Sequence, residues 1–258
     1  MTHNLLVPEW QAPEWVRALS STRRGGVSRG PWGLADGRPG GLNLGAACGD
    51  DPAAVESNRA RLGERLPASP AWLRQVHGTE VLRVEGVPSA GEPPPVADAA
   101  VTAVPGCVLA ILTADCLPVL FADRRRRIVG AAHAGWRGLA AGVLEATIDA
   151  MCGLGATPSG LVAWIGPGIG PLAFEVGEDV RDAFVAGDAG AGDCFVAIPG
   201  REKWLADLPA LAMRRLSAAG VTGVAPSGLC TFGDAKRFYS YRRDGRCGRM
   251  ASLVWVAG

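Results

Sequence analysis

The sequence predicts an α+β fold with mixed β-sheets flanked by helices, and three observations carry that prediction. Short runs rich in apolar and β-branched residues recur along the chain, bounded by Gly, Pro or Asp. Longer segments with apolar residues at helical spacing lie between some of them. The two kinds do not alternate as a clean βαβ series, which argues against a doubly wound parallel sheet.

In chain order, residues 51–66 read as a helix. Residues 72–84 (WLRQVHGTEVLRV) alternate as a half-buried strand does and place Gln75, His77 and Thr79 on one face. Residues 107–113 (CVLAILT) form a continuous apolar run ended by Asp115, the pattern of a buried strand. Residues 119–122 and 128–132 read as two strands joined by a charged turn. Residues 139–151 (LAAGVLEATIDAM) show helical spacing, with Gly153 and Gly155 as stop signals. Residues 178–186 and 205–219 are further helices, and 161–165, 194–198 and 253–256 further strands. Gly/Pro clusters at 25–41, 87–95 and 187–192 read as surface loops.

The 258 residues are 48% hydrophobic and 20% charged, enough for one domain to bury a large core. No segment has a linker's composition and no repeat of 20 to 50 residues appears, so a single domain over residues 1–258 is expected. The formal net charge of +1 excludes a strongly basic nucleic-acid or anionic-membrane binder. Of the 26 Lys+Arg residues only Lys203 and Lys236 are lysines, which reads as a coding bias. The opening MTHNLLVPEW lacks a basic n-region and an apolar h-region, and the longest apolar run is too short to span a bilayer. The seven cysteines form no C-x-x-C pair and fit free thiols in a reducing compartment. A cytoplasmic monomer is expected.

Histidine scarcity is the most informative feature: with His3 near the terminus, His77 and His133 remain. They stand in QVHG and HAGWRG among small neighbours, and Cys116 closes an apolar strand in TADC. If the strands are neighbours, the three converge as a His-Cys-His set of the catalytic zinc type with an open fourth position. The same residues also fit a Cys–His nucleophile dyad, or a core cysteine and two unrelated histidines. Asp115 either orients a ligand or simply ends its strand. The helix starting after residues 136–138 offers N–H groups to an anion, and Arg137 at its entry is either a phosphate clamp or an exposed arginine. The IGPGIGP segment has the wrong glycine spacing for a dinucleotide site and reads as a rigid turn that lines a pocket. Residues 238–245 (FYSYRRDG) are either an edge strand entering a turn or a wall that stacks a base and holds phosphate.

QVHG, TADC, HAGWRG, IGPGIG with FEVG, and the terminal FYSYRRDGRCGR resemble, in that order, the YfiH-like purine nucleoside phosphorylase family, also called laccase-domain or polyphenol oxidase proteins. The resemblance covers most of the chain from Arg24 onward and implies an α/β/β/α-like sandwich. It assigns His77, Cys116 and His133 as Zn2+ ligands, and these with Arg137 as the catalytic set. Arg24, Asn43, Asp98 and Arg242 match other family positions and, with Gln75, Asp115 and Ser240, are expected on the substrate side; Asp98 and Asp115 are the candidate acids for the leaving base. Phe174, Ala212 and Cys247 depart from the family's Tyr, Asn and Thr and bear on substrate preference. The implied activity is phosphorolysis of adenosine, inosine, guanosine or S-methyl-5'-thioadenosine by inorganic phosphate, with adenosine deamination as a second activity. Neither nucleic acid nor membrane is an expected partner. The alternatives are a copper-dependent polyphenol oxidase, a Cys-dependent amidase acting on cell-wall precursors, and a non-enzymatic binding domain.

Overall fold

The computed structural model describes residues 5–87 and 93–258; His3 and most of the expected loop at 87–95 lie outside the described residues. Along the first half of the chain run β1 (Leu5–Leu6), β2 (Val16–Ser21), β3 (Arg24–Ser28), α1 (Pro52–Gly63), β4 (Val81–Arg83), β5 (Ala99–Thr102), β6 (Leu109–Thr113), β7 (Leu117–Asp123) and β8 (Val129–Ala134). The second half continues with α2 (Trp136–Ala141), α3 (Val143–Gly153), β9 (Leu161–Ile165), β10 (Glu175–Val176), α4 (Glu178–Val185), β11 (Phe195–Ala197), β12 (Trp204–Ala206), α5 (Leu208–Ala218), β13 (Gly223–Pro226), α6 (Tyr241–Asp244) and β14 (Met250–Val256).

Two sheets pack face to face. A six-stranded mixed sheet runs in the order β13-β9-β7-β8-β5-β4, with β13/β9 and β4/β5 parallel and the other pairs antiparallel. A four-stranded antiparallel sheet runs β1-β2-β14-β6, and a small sheet β10-β12-β11 stands apart from both. The two-residue period of β7 splits its side chains between two cores. Val119 and Phe121 join Leu139, Leu144 and Ile148 of the helical layer, while Leu120 and Ala122 meet Leu109, Ile111 and Val254 of the four-stranded sheet. On the outer side of that sheet, Leu253 and Ala110 pack with Leu62 of α1. The layers are therefore α/β/β/α, the expected α+β class. Strands β7 and β14 are buried along their whole length because both faces are covered, which is why they read as unbroken apolar runs.

Local chemistry sets the helix boundaries. Asp51 caps α1 by accepting from Ala53 N at 3.0 Å, with Pro52 in the first turn, and Asp207 caps α5 through Ala210 N at 2.9 Å. The helix expected at 139–151 is two helices, because Gly142 (φ 101) takes the left-handed conformation that ends α2. The helix expected from residue 205 begins at Leu208; the preceding residues form β12, which pairs with both β10 and β11.

Four other expectations are corrected. The loop at 25–41 contains β3, whose ends bridge to Gly41, and the loop at 187–192 is largely a short 3-10 helix, Ala189–Cys194. The strand expected at 72–84 survives only as a bridge at Arg74 and the three residues of β4, because the backbone turns back at His77. Residues 238–245 form no edge strand: Phe238 and Tyr239 are fully buried, and α6 follows, capped by Ser240. No helix among the described residues is long and apolar enough to cross a membrane.

Phe121 is fully buried in the layer between the large sheet and the helices. Phe121→Ala is expected to lower the unfolding free energy by about 3–5 kcal/mol, measured by denaturant titration at unchanged m-value.

Candidate metal centre

Strand pairing brings two of the three candidate ligands together. In the β7/β8 ladder Pro118 lies opposite His133, so the turn just before β7 sets Cys116 beside the end of β8. His77 arrives from a turn ahead of β4, on the far side of β5. The ligand atoms of His77, Cys116 and His133 all lie within 4.8 Å of one another. Cys116 Sγ is 3.8 Å from His77 Nε2, and the two imidazoles meet edge to face with centroids 4.8 Å apart. Gly135 makes the approach possible, since a Cβ there would stand 2.9 Å from Cys116 Sγ and 2.8 Å from His77 Cδ2.

One carboxylate holds both histidines. Asp98, fully buried, accepts hydrogen bonds from the backbone N–H groups of Val76 (3.0 Å), His77 (2.9 Å) and Gly78 (2.8 Å), and its Oδ1 is 2.8 Å from His133 Nδ1. Its own carbonyl accepts from His133 N at 2.7 Å. The three amides form an anion-binding nest that bends the chain at His77 into the left-handed region (φ 62). With Nδ1 engaged by Asp98, His133 is left with Nε2 for the thiol side. This is why the alternating pattern at 72–84 does not continue as a strand.

Of the alternatives open for Asp115, direct orientation of a candidate ligand side chain is not the one its hydrogen bonds serve. Asp115 carries the other non-glycine positive φ among the described residues (φ 90) and makes no bond to a candidate ligand side chain. Its carboxylate accepts from Thr231 Oγ1 (2.6 Å), Ser240 Oγ (3.0 Å) and Arg242 N (2.7 Å), and its carbonyl from Ile169 N (2.8 Å). Asp115 thus fastens the Cys116 turn to the IGPGIG segment and to the start of α6. A left-handed non-glycine residue costs of order 1–3 kcal/mol, and these bonds offset it. Thr231 had no sequence signal, because its partner is remote in the chain and its type is common.

Electrostatics favour an ionised thiol. Burial opposes the Cys116 thiolate, but the charge and hydrogen bonds of His133 and His77 outweigh it, and the thiol falls to about 6. Burial likewise opposes protonation of His133, yet the Cys116 and Asp98 charges raise it to about 9. Asp98 is held below the usual carboxylate range, its burial outweighed by the bonds from His133, Gly78 and Val76. An ionised Asp98 with its lone pairs engaged has no proton to donate to a leaving base.

The donor set fits zinc. Two imidazoles and a thiolate converging from three separate segments are ordinary Zn2+ ligands. A carboxylate behind one imidazole is the usual support for such a ligand.

The remaining expected residues fall into two groups. Gln75, Asn43 and Ser240 spend their polar atoms inside the protein. Gln75 exchanges two 2.8 Å bonds with the Leu112 backbone, and the Asn43 amide bonds to Asp50, Gly45 and Arg249 N. Ser240 both caps α6 and bonds to Asp115. The arginines are exposed: Arg24 donates to Lys236 O at 2.8 Å, Arg242 to Glu175 O at 2.6 Å, and the Arg137 guanidinium lies 4.4 Å from the Trp136 ring centre. The helix behind Arg137, α2, is only six residues long.

Residues 17–257 match the family model described as multi-copper polyphenol oxidoreductase laccase. A Pseudomonas aeruginosa protein named purine nucleoside phosphorylase PA4543 is 55% identical over 97% of this chain and 98% of its own. The Escherichia coli purine nucleoside phosphorylase YfiH is 49% identical over 98% of each. Among solved structures, Neisseria meningitidis protein NMB0706 superposes with a TM-score of 0.89 at 45% identity, covering 99% of this chain and 100% of that one. YlmD from Geobacillus stearothermophilus does so at 0.81 and 28%, covering 98% and 99%.

Two outcomes test this geometry. Asp98→Ala is expected to destabilise the fold by roughly 3 kcal/mol, because several buried donors lose their acceptor, and to accelerate amide exchange at residues 76–78. In metal-free protein, alkylation of Cys116 rises with pH through a midpoint near about 6, well before the buried Cys107 and Cys247 react, as mass spectrometry of the labelled peptides would show.

Proposed function

The chain belongs to the multi-copper polyphenol oxidoreductase laccase family, and from that premise we propose that it is a zinc-dependent purine nucleoside phosphorylase with adenosine deaminase as a second activity. The observation that carries the reading is the convergence of His77, Cys116 and His133 on one point. The names borne by the Pseudomonas aeruginosa and Escherichia coli relatives support the reaction class. The nucleosides proposed as substrates are adenosine, inosine, guanosine and S-methyl-5'-thioadenosine.

In phosphorolysis a phosphate oxygen bonds to C1′ of the sugar, the N9–C1′ bond breaks with its electron pair moving to the purine, and the purine takes up a proton. His77, Cys116 and His133 would hold a zinc ion, which would supply Lewis acidity when bound. The chain's own part is positioning. Asp98 keeps His77 and His133 oriented, and Asp115 holds the Cys116 turn against α6. Arg137 is exposed and joined to the rest of the molecule through Trp136, so its guanidinium is free to clamp a phosphate. Arg24 and Arg242, also exposed, are the remaining proposed contacts to substrate; Gln75, Asn43 and Ser240 act by holding the walls. In deamination of adenosine a water oxygen would bond to C6, the C6–N bond would break and ammonia would leave, with His77, Cys116 and His133 holding the ion that lowers the water's pKa.

Two other readings each have one observation behind them. The family's description favours copper oxidation of phenols, but three histidines in the whole sequence are too few for a multicopper cluster. The lowered Cys116 thiol favours a nucleophilic amidase. Metal analysis and product separation distinguish them. Zinc near one equivalent, with free base and ribose-1-phosphate formed from inosine and phosphate, and loss of both zinc and turnover in Cys116→Ala, is the expected result. Full phosphorolysis by that variant would reject the reading; bound copper with oxidation of phenols would replace it by the first alternative, and a covalent acyl adduct on Cys116 by the second.

A further inference from the structure

A cleft of about 350 Å3 opens between residues 45–49 and the end of α6, lined among others by Cys48, Tyr241, Arg246, Cys247 and Arg249. It contains none of the three candidate metal ligands. Its lining holds two guanidinium groups and no carboxylate. Asp50, the nearest acidic residue in sequence to Cys48, has its oxygens taken by Ser28 Oγ (2.7 Å), Asn43 Nδ2 (2.9 Å) and Asp51 N (2.9 Å). The buried Cys247 thiol is pushed up to about 11, so it stays neutral and does not offset the positive charge.

The two arginines are seated rather than loose. Glycines of the facing loop make room for them: a Cβ at Gly45 would come 2.7 Å from Arg249 Cγ, and one at Gly49 3.1 Å from Arg246 Nη2. Arg249 Nη1 donates to the carbonyls of Cys247 (2.9 Å) and Gly248 (3.0 Å). The Arg246 guanidinium lies 4.8 Å from the centre of the Trp32 ring, and its Nη2 donates to Gly49 O at 3.4 Å. These contacts engage one nitrogen of each guanidinium, and each group has five N–H donors in all. A preplaced arginine pair loses little freedom on gripping a phosphate, which is the planar, bidentate recognition arginine serves. Tyr241, 60% exposed, adds a flat aromatic face at the same cleft, 5.9 Å from Arg249. The volume exceeds what a bare inorganic anion needs and lies within the range of small-molecule sites.

We propose that this cleft binds a nucleoside monophosphate, with Arg246 and Arg249 on the phosphate and Tyr241 stacked on the base, as a ligand separate from the nucleoside at the metal centre. The site does not rest on the phosphorolysis reading. It does adjoin the centre: Tyr241 lies between Ser240 and Arg242, both bonded to Asp115, the neighbour of Cys116.

Titration calorimetry of the native protein with inosine 5'-monophosphate, inosine and orthophosphate, each alone so that no phosphorolysis runs, tests the proposal, and nucleotide binding is read whether or not the chain phosphorolyses nucleosides. The expected outcome is nucleotide binding that weakens at least tenfold in Arg246→Ala and in Tyr241→Ala and further in Arg246→Ala/Arg249→Ala, while inosine affinity stays unchanged. Arg246 is exposed, so its single variant guards against misfolding of the double one, and thermal melting checks both. No nucleotide binding, or binding indifferent to Arg246→Ala, would overturn the proposal. So would orthophosphate binding as tightly as the nucleotide, or inosine and nucleotide affinities falling together, which would make the cleft part of the nucleoside site.

Discussion

The buried carboxylate of Asp98 is the interaction on which the candidate centre depends. It accepts from three successive backbone amides and from one imidazole, all at 2.8–3.0 Å, and thereby sets the position of two of the three ligands at once. A buried anion is costly unless its lone pairs are filled. Here they are filled by the groups whose placement the site requires, so the same bonds that stabilise the carboxylate impose the left-handed turn at His77. A strand through that region would have left Asp98 without those donors and His77 facing along the sheet.

The second strained residue obeys the same logic from the other side. Asp115 turns the chain between β6 and β7 and is held by a threonine, a serine and a backbone amide from the C-terminal third. His77 and Asp115 are the non-glycine residues with positive φ among those described, and each lies at or next to a candidate ligand. Strain gathered at one place is what a preorganised centre looks like when rigid strands supply the restraint. The register of β7 against β8 and of β5 against β8 carries that restraint across the sheet.

Burial and charge act in opposite directions at the thiol, and the balance decides its chemistry. Two imidazoles beside Cys116 more than offset the cost of placing a thiolate in a half-buried site, whereas Cys247, lacking such partners, is driven the other way. The same residue type thus yields a candidate metal ligand inclined to ionise in one place and a buried thiol held neutral in another, by environment alone.

Much was legible from sequence. The short apolar runs announced β6, β7, β8, β9 and β14, helices were expected where α1 and α5 lie, and the rarity of histidine singled out His77 and His133. Those are local properties, written in patterns of hydrophobicity and in residue chemistry. Strands such as β3, β5 and β10 escaped because they are short, glycine- or alanine-rich, or defined mainly by the neighbour they pair with. The role of Asp98, the break at His77, the fastening of Asp115 by Thr231 and Ser240, and the meeting of the three ligands were settled only in three dimensions. Each depends on hydrogen bonds between residues far apart in the chain, and no local propensity records which distant donor will satisfy a buried acceptor.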